Sequence, residues 1–162
     1  MAKWIITGGA GFIGCHAAAR FLSRGDKVVV VDNLSRRGAV ENLRWVETHG
    51  APEFHKADVR DSQTMMEILA RHRDADAVLH LAAQVAVSTS VVDPRTDFEI
   101  NALGTFNVLE AVRIAAEGRP AVLYSSTNKV YGGMESVAVE ERDGRYGYAD
   151  RPGGIAENEP LD

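Results

Sequence analysis

Five short apolar runs alternate with four helical patterns over residues 1–131, and that alternation predicts an α/β chain built as a doubly wound parallel sheet. Two further observations agree. Val28-Val29-Val30-Val31 is β-branched and apolar on both faces, as a central parallel strand covered by helices on both sides must be. Thr7-Gly8-Gly9-Ala10-Gly11-Phe12-Ile13-Gly14 leaves the first apolar run and opens a helical pattern. With right-handed crossovers, the expected strand order is 3-2-1-4-5, and the order reverses between strands one and four.

The elements follow in turn. Lys3 to Thr7 is the first strand. Phe12 to Arg24 is a helix, with Ile13, Ala17 and Phe21 on one face and Gly25 as its stop. Val28 to Val31 is the second strand and ends at Asp32. A helix is expected from Ala39 to His49, then a short third strand, Glu53 to His55, followed by Asp58-Val59. Asp61 or Ser62 caps a third helix, whose Met65, Met66, Ile68 and Leu69 are core residues rather than ligands. Ala77 to Leu81 is the fourth strand, left by Ala82-Ala83-Gln84, and His80 is a satisfied strand-end histidine. Asp93-Pro94, an N-cap followed by proline at the first helical position, opens a helix that runs to Glu117. Its stripe of Phe98, Ala102, Thr105, Leu109 and Val112 is widened by Ile100, Leu103, Phe106 and Ile114. That surface is too broad for one sheet face, so a second partner is expected, either another helix or a second subunit. Ala121 to Tyr124 is the fifth strand. Residues 132–162, rich in glycine and acidic groups, are expected to form an irregular tail after a domain of residues 1–131.

At 162 residues, 45% apolar and 25% charged, the chain is long enough for one real core. The net charge of −5 argues against a nucleic-acid-binding face. Cys15 is the only cysteine, so no disulfide forms within the chain, and beside Gly14 it is a small packed side chain. No apolar run approaches the roughly 20 residues that span a bilayer, and no leader precedes the glycine turn, so a reducing cytoplasm is the default expectation. No metal site is assigned.

The chemistry gathers at the carboxyl ends of the strands. Gly8 permits a tight exit from the first strand, Gly11 leaves room for a diphosphate against the backbone, and Gly14 lets the helix pack closely. The amides at that helix start, with the positive end of its dipole, make an anion site. The spacing Gly-x-x-Gly-x-x-Gly is one residue wider at the front than the common dinucleotide fingerprint, and the same glycines also serve a βα turn without a ligand. Asp32, 18 residues after Gly14, is placed to accept hydrogen bonds from ribose hydroxyls and to repel a 2′-phosphate, although Arg36 and Arg37 follow it closely. The other reading of Asp32 is a helix cap or a solvated charge. Asp58 and Val59 are placed to meet adenine, the carboxylate through the exocyclic amine. Ala82 and Ala83 let a cofactor approach the backbone. Asn101 interrupts an apolar surface and is read as bonding a neighbouring strand's backbone.

These residues resemble the extended short-chain dehydrogenase/reductases that act on nucleotide sugars, which carry a Rossmann-type cofactor domain, and the resemblance covers the whole chain. Asp32-Asn33-Leu34-Ser35-Arg36-Arg37-Gly38, Phe98-Glu99-Ile100-Asn101 and Ser125-Ser126-Thr127-Asn128-Lys129-Val130-Tyr131-Gly132 look most like the CDP-paratose (CDP-tyvelose) 2-epimerases. The resemblance implies NAD as cofactor, a CDP-sugar as substrate, and hydride removal and return at C2 of a CDP-deoxyhexose. It assigns Gly8, Gly11, Phe12, Ile13 and Gly14 to the cofactor, with Asp32, Asn33, Ser35 and Arg36 on the adenosine side. Asp58, Val59, Leu81, Ala82, Ala83 and Gln84 complete the cleft, and Asn101 and Ser125 lie on the nicotinamide side. Thr127 matches the catalytic hydroxyl that bonds the reacting sugar hydroxyl. Related dehydratases carry Asp-Glu where this chain has Asn128-Lys129, which disfavours a dehydratase.

One departure stands out. The family's Tyr-x-x-x-Lys pair, in which Lys lowers the Tyr pKa, is absent: Asn128, Glu135, Asp150 and Pro152 stand four residues beyond the four tyrosines. The chain is therefore expected to be the N-terminal part of an epimerase, truncated before the C-terminal substrate domain, inactive alone and prone to form a homo-oligomer. Two other readings stay open: the corresponding part of a UDP-hexose 4-epimerase or other oxidoreductase of the same fold, and a non-catalytic NAD-binding interaction module.

Overall fold

A computed structural model describes residues 1–118 and 120–161. They form two compact units, Met1–Ser125 and a second that begins at Ser126. The sequence places the boundary after residue 131; the compact units divide six residues earlier.

The first unit is a parallel sheet of five strands, β1 (Lys3–Thr7), β2 (Lys27–Asp32), β3 (Glu53–Lys56), β4 (Ala77–His80) and β5 (Ala121–Tyr124), in the order β3-β2-β1-β4-β5. Helices α1 (Phe12–Ser23), α2 (Ala39–Glu47) and α3 (Ser62–Arg71) follow the first three strands. The run from residue 94 is interrupted: α5 (Pro94–Phe98) and α6 (Gly104–Ala115) flank a π-helical turn at Glu99–Leu103. Helix α4 (Val87–Val92), unassigned from the sequence, precedes them; six residues of Val, Ser and Thr carry no helical stripe.

Two cores lie on the two faces of the sheet. Ile5, Val29, Val31 and Val78 meet Met65, Ile68 and Leu69 of α3 and Val108 and Ala111 of α6. Ile6, Val28 and Val30 meet Cys15 and Ala18 of α1 and Leu43 and Val46 of α2. Alternate residues of β1 and β2 thus point to opposite layers, which is why both strands are apolar throughout. Asp61 caps α3 by accepting from the Thr64 N–H at 3.0 Å. α6 buries Val108 and Ala111 but leaves Phe106, Leu109 and Ile114 exposed, as are Phe98 of α5 and Val87, Val91 and Val92 of α4.

The second unit corrects the reading of residues 132–162 as irregular. It contains a 3₁₀ turn, Asn128–Tyr131, and an antiparallel hairpin of β6 (Val139–Arg142) and β7 (Arg145–Tyr148). β6, Val-Glu-Glu-Arg, does not alternate apolar and polar residues, and β7 does so only through Tyr146 and Tyr148, too short a pattern to reveal the hairpin. The signal lies in the turn: Asp143 and Gly144 both have positive φ (52° and 73°), the geometry that Asp-Gly favours in two-residue hairpins.

Candidate functional site

The register Thr7↔Val31, Thr7↔His80 and His80↔Tyr124 brings the ends of β1, β2, β4 and β5 to one sheet edge. Gly8, Asp32, Leu81 and Ser125 therefore leave neighbouring strands side by side. Gly8 has φ 69°, and a Cβ there would lie 2.7 Å from the Ala82 N and 2.8 Å from the Leu81 carbonyl carbon. The turn after β1 is thus wedged against the exit of β4. A Cβ on Gly14 would stand 2.3 Å from the Gly8 carbonyl oxygen and 2.7 Å from the Gly9 Cα, so this glycine fits α1 against the turn itself rather than against the strand.

The helix start is poor in internal partners. Gly11 is the N-cap and supplies no side chain, and the first turn of α1 has no acidic residue. The Gly11 N–H closes the turn on the Gly8 carbonyl, and the Cys15 N–H bonds the Gly11 carbonyl. The amides of Phe12, Ile13 and Gly14 belong to the orphan donors of a helix start, and the side chains of Phe12 and Ile13 are exposed beside them. A Cβ on Gly11 would meet only the Gly8 carbonyl oxygen, at 3.1 Å, so the space before the helix is otherwise open. This donor set, with the helix dipole behind it, fits an anion such as a diphosphate.

Asp32 connects this turn to the next loop. Its Oδ2 accepts the Ala10 N–H at 3.0 Å and its Oδ1 accepts the Leu34 N–H at 2.8 Å. A carboxylate has about four acceptor positions, so two remain for hydroxyl donors. Leu34 takes a left-handed φ of 58° to make its bond. Asn33 donates to Asp58 Oδ2 at 2.9 Å and accepts the Ser35 N–H at 2.9 Å, and Arg36 donates to Gln84 Oε1 at 3.1 Å.

Asp58 and Val59 both have partners within the chain. Arg60 engages Asp58 with its backbone N–H, Nε and Nη2, and with the Asn33 amide these donors fill the acceptor positions of the carboxylate. The Arg60 hydrogen bonds hold its pKa well below the usual carboxylate range. Each carboxylate oxygen thus has two donors within the chain. Val59 is buried in the core, its side chain against Gly104 of α6, rather than at the rim of a cleft. The residue after the pair, Arg60, gave no signal in the sequence, because an Arg two places from an Asp on a loop is ordinary.

Asn101 lies within the π-helical turn. Its Oδ1 accepts the Gln84 N–H at 2.9 Å and its Nδ2 donates to the Gln84 carbonyl at 3.0 Å and to Asp97 Oδ1 at 3.2 Å. The side chain thus pairs with one residue of the β4 exit as a neighbouring strand would, while Ala82 and Ala83 keep that exit free of bulk.

Beneath runs a polar chain that the sequence did not reveal. Thr105 Oγ1 donates to the Asn101 carbonyl at 2.6 Å, so it accepts from His80 Nε2 at 2.9 Å. His80 Nδ1 is then the acceptor for the Thr7 hydroxyl at 2.5 Å. His80 is buried, stacked on Tyr124 with ring centroids 5.7 Å apart, and burial pushes its pKa down to about 4. It is a neutral, fully bonded linker between β1, β4 and α6. The spacing of Asn101 and Thr105, one helical turn apart, is the trace this chain leaves in sequence.

Thr127 belongs to the second unit. It is the N-cap of the 3₁₀ turn, and its Oγ1 accepts the Lys129 N–H at 3.2 Å. Ser125 directly follows β5 and is exposed.

A parallel sheet in this order, with an uncapped glycine turn and an acidic residue at the end of β2, defines a dinucleotide-binding α/β domain. Residues 5–149 match the family described as GDP-mannose 4,6 dehydratase, and the chain belongs to that family. A CDP-paratose 2-epimerase of Salmonella typhi is 44% identical over 160 residues, a match that covers 99% of this chain and 47% of the relative. Two solved structures are similar to it. The UDP-glucose-4-epimerase from Stenotrophomonas maltophila, with bound NAD and formylated UDP-arabinopyranose, matches with a TM-score of 0.72 and 36% identity over 83% of this chain and 40% of that one. The UDP-glucose 4-epimerase of Thermus thermophilus, in complex with NAD, matches with a TM-score of 0.69 and 34% identity over 99% of this chain and 44% of that one. The chain thus spans just under half the length of these relatives. Among the described residues, no helix is long and apolar enough to cross a membrane.

Proposed function

We propose that this chain is the NAD-binding half of a nucleotide-sugar epimerase. The observation that carries the reading is the start of α1, with its glycine N-cap and uncapped first turn, joined to Asp32 through the Ala10 N–H. In this reading the Phe12, Ile13 and Gly14 amides hold the diphosphate, and Asp32 accepts from the adenosine ribose and disfavours a 2′-phosphate. Asn33, Ser35 and Arg36 border the adenosine. Asp58 acts through Asn33, since Arg60 occupies the rest of its carboxylate. Leu81, Ala82 and Ala83 admit the cofactor close to the backbone, Asn101 holds Gln84 in place, and Ser125 faces the nicotinamide. The Thr127 hydroxyl bonds the reacting sugar hydroxyl. When bound, NAD supplies the acceptor and donor of hydride.

The identity to a CDP-paratose 2-epimerase supports a CDP-deoxyhexose as the substrate of the whole enzyme, with C2 as the reacting carbon. The two NAD-bound UDP-glucose 4-epimerase structures support a second reading, a UDP-hexose 4-epimerase. Without a Tyr-x-x-x-Lys pair in its sequence, the chain alone is expected to turn over neither substrate. Calorimetric titration with NAD and NADP tests the cofactor assignment: NAD binds and NADP binds more weakly. Absence of NAD binding rejects the reading, and tighter NADP binding rejects the role of Asp32. A CDP-sugar and UDP-sugar screen on the chain extended to its relatives' length separates the two substrates.

A further inference from the structure

Strand β3 is the outer strand of the sheet, and Glu53 and His55, two residues apart, share one of its faces. Their register partners Val29 and Val31 belong to the core beneath α3 and α6, so this face lies on the α3 side. His72, the C-cap of α3, comes back to it, with its Nε2 3.1 Å from His55 Nε2. Glu53 Oε1 lies 3.0 Å from His55 Nε2 and 3.4 Å from His72 Nε2.

At most one proton lies among the three atoms without a clash. With both Nε2 atoms protonated, two N–H groups oppose each other across 3.1 Å. With His55 Nε2 protonated, its single N–H is shared between Glu53 Oε1 and His72 Nε2, and the His72 nitrogen stands 3.4 Å from the carboxylate oxygen with no proton between them. A cation held by the three atoms replaces that shared proton, because each residue offers it one ligand atom. A tetrahedral ion bonded at about 2.0–2.1 Å sets its ligand atoms roughly 3.3–3.4 Å apart, close to the separations here.

The surroundings agree. His72 is buried. The nearby Lys3 ammonium is already paired with Asp74, which leaves Glu53 to set the local charge. Glu53 is exposed, which gives an ion a way in and leaves a fourth position for water. Two imidazoles and a carboxylate suit zinc rather than magnesium or calcium.

We propose that Glu53, His55 and His72 form a zinc(II) site that staples the outer strand β3 to the end of α3. The cluster lies outside the residues proposed for NAD and needs none of them.

The test is calorimetric titration of metal-free chain with zinc chloride, with cobalt(II) as a spectroscopic stand-in. The expected result is saturable binding of a single zinc per chain, strong visible bands of four-coordinate cobalt, and a higher urea midpoint with zinc. His55→Asn and Glu53→Gln, both away from the deep core, are expected to weaken zinc at least about tenfold, since even an outer partner of a ligand costs that much. Circular dichroism and NAD titration are expected to be unchanged in both. His49→Asn, at an exposed histidine elsewhere, is expected to bind zinc as wild type does. Absence of saturable binding, a weak six-coordinate cobalt spectrum, or equal zinc affinity in wild type and His55→Asn would overturn the proposal.

Discussion

The Ala10 N–H donates to Asp32 Oδ2 at 3.0 Å, so the glycine turn after β1 and the acidic end of β2 are one hydrogen-bonded unit. The carboxylate that is proposed to accept the ribose also sets the loop that is proposed to hold the diphosphate. Asp32→Ala is therefore expected to weaken NAD at least about tenfold and to narrow the gap between NAD and NADP, with Arg36 left beside the vacated position. Parallel titrations with the two cofactors read this directly; unchanged NAD affinity would break the link between turn and acid.

Gly14→Ala puts a Cβ 2.3 Å from a backbone oxygen that cannot move without opening the turn. We expect a loss of about 2–4 kcal/mol in urea unfolding and loss of NAD binding. Gly147→Ala, in the hairpin, meets no atom within 4 Å and is expected to stay within about 0.5 kcal/mol of wild type.

His80 gives the fold a pH dependence. Its pKa falls from 6.5 to about 4 on folding because it is buried, so between those values the unfolded chain binds the extra proton. Stability therefore falls as pH drops from 6.5 to 4, by about 3 kcal/mol, and is fully present above 6.5. Asp58 adds its own loss only below its ordinary value of 3.8, outside that window. His72, also lowered by burial, contributes in the same direction as His80. His80→Gln should thus flatten most, but not all, of the slope of urea stability against pH; an unchanged slope would show that His80 is not the group responsible.

Asn101→Ala leaves the Gln84 N–H and C=O without their partner, at a cost of about 1–3 kcal/mol. Faster amide hydrogen exchange at Gln84 is the local readout. Asn101→Asp puts a carboxylate oxygen where Nδ2 donates to the Gln84 carbonyl and to Asp97, and should cost at least as much as Ala.

Helices α4 to α6 leave Phe98, Phe106, Leu109 and Ile114 exposed together with Val87, Val91 and Val92. An apolar surface of this kind favours association. Sedimentation velocity at micromolar concentration is expected to show oligomers, and Leu109→Glu to shift them toward monomer.

Much of the sheet was legible because its causes are local. Val28–Val31 is apolar on both faces, Asp61 and Asp93 stand where helices need caps, and Gly8 and Gly14 mark a turn that no larger residue fits. The exposed breadth of the helix after Pro94 was legible for the same reason. The hairpin at 139–148 escaped because β6 has no apolar period and β7 has only Tyr146 and Tyr148, although its Asp-Gly turn was in view.

From the amino-acid order alone came the five strands of the parallel sheet, the helices α1 to α3 and the order of the strands, since each depends on periodicity, caps and the handedness of crossovers. Only the folded chain decided how the polar groups divide. Arg60 saturates Asp58, Val59 turns inward against Gly104, His80 joins Thr7 to Thr105, and His72 arrives beside Glu53 and His55. Most of these partners lie on different loops or elements, and a hydrogen bond needs its atoms about 3 Å apart in a set direction, which spacing along a chain does not encode.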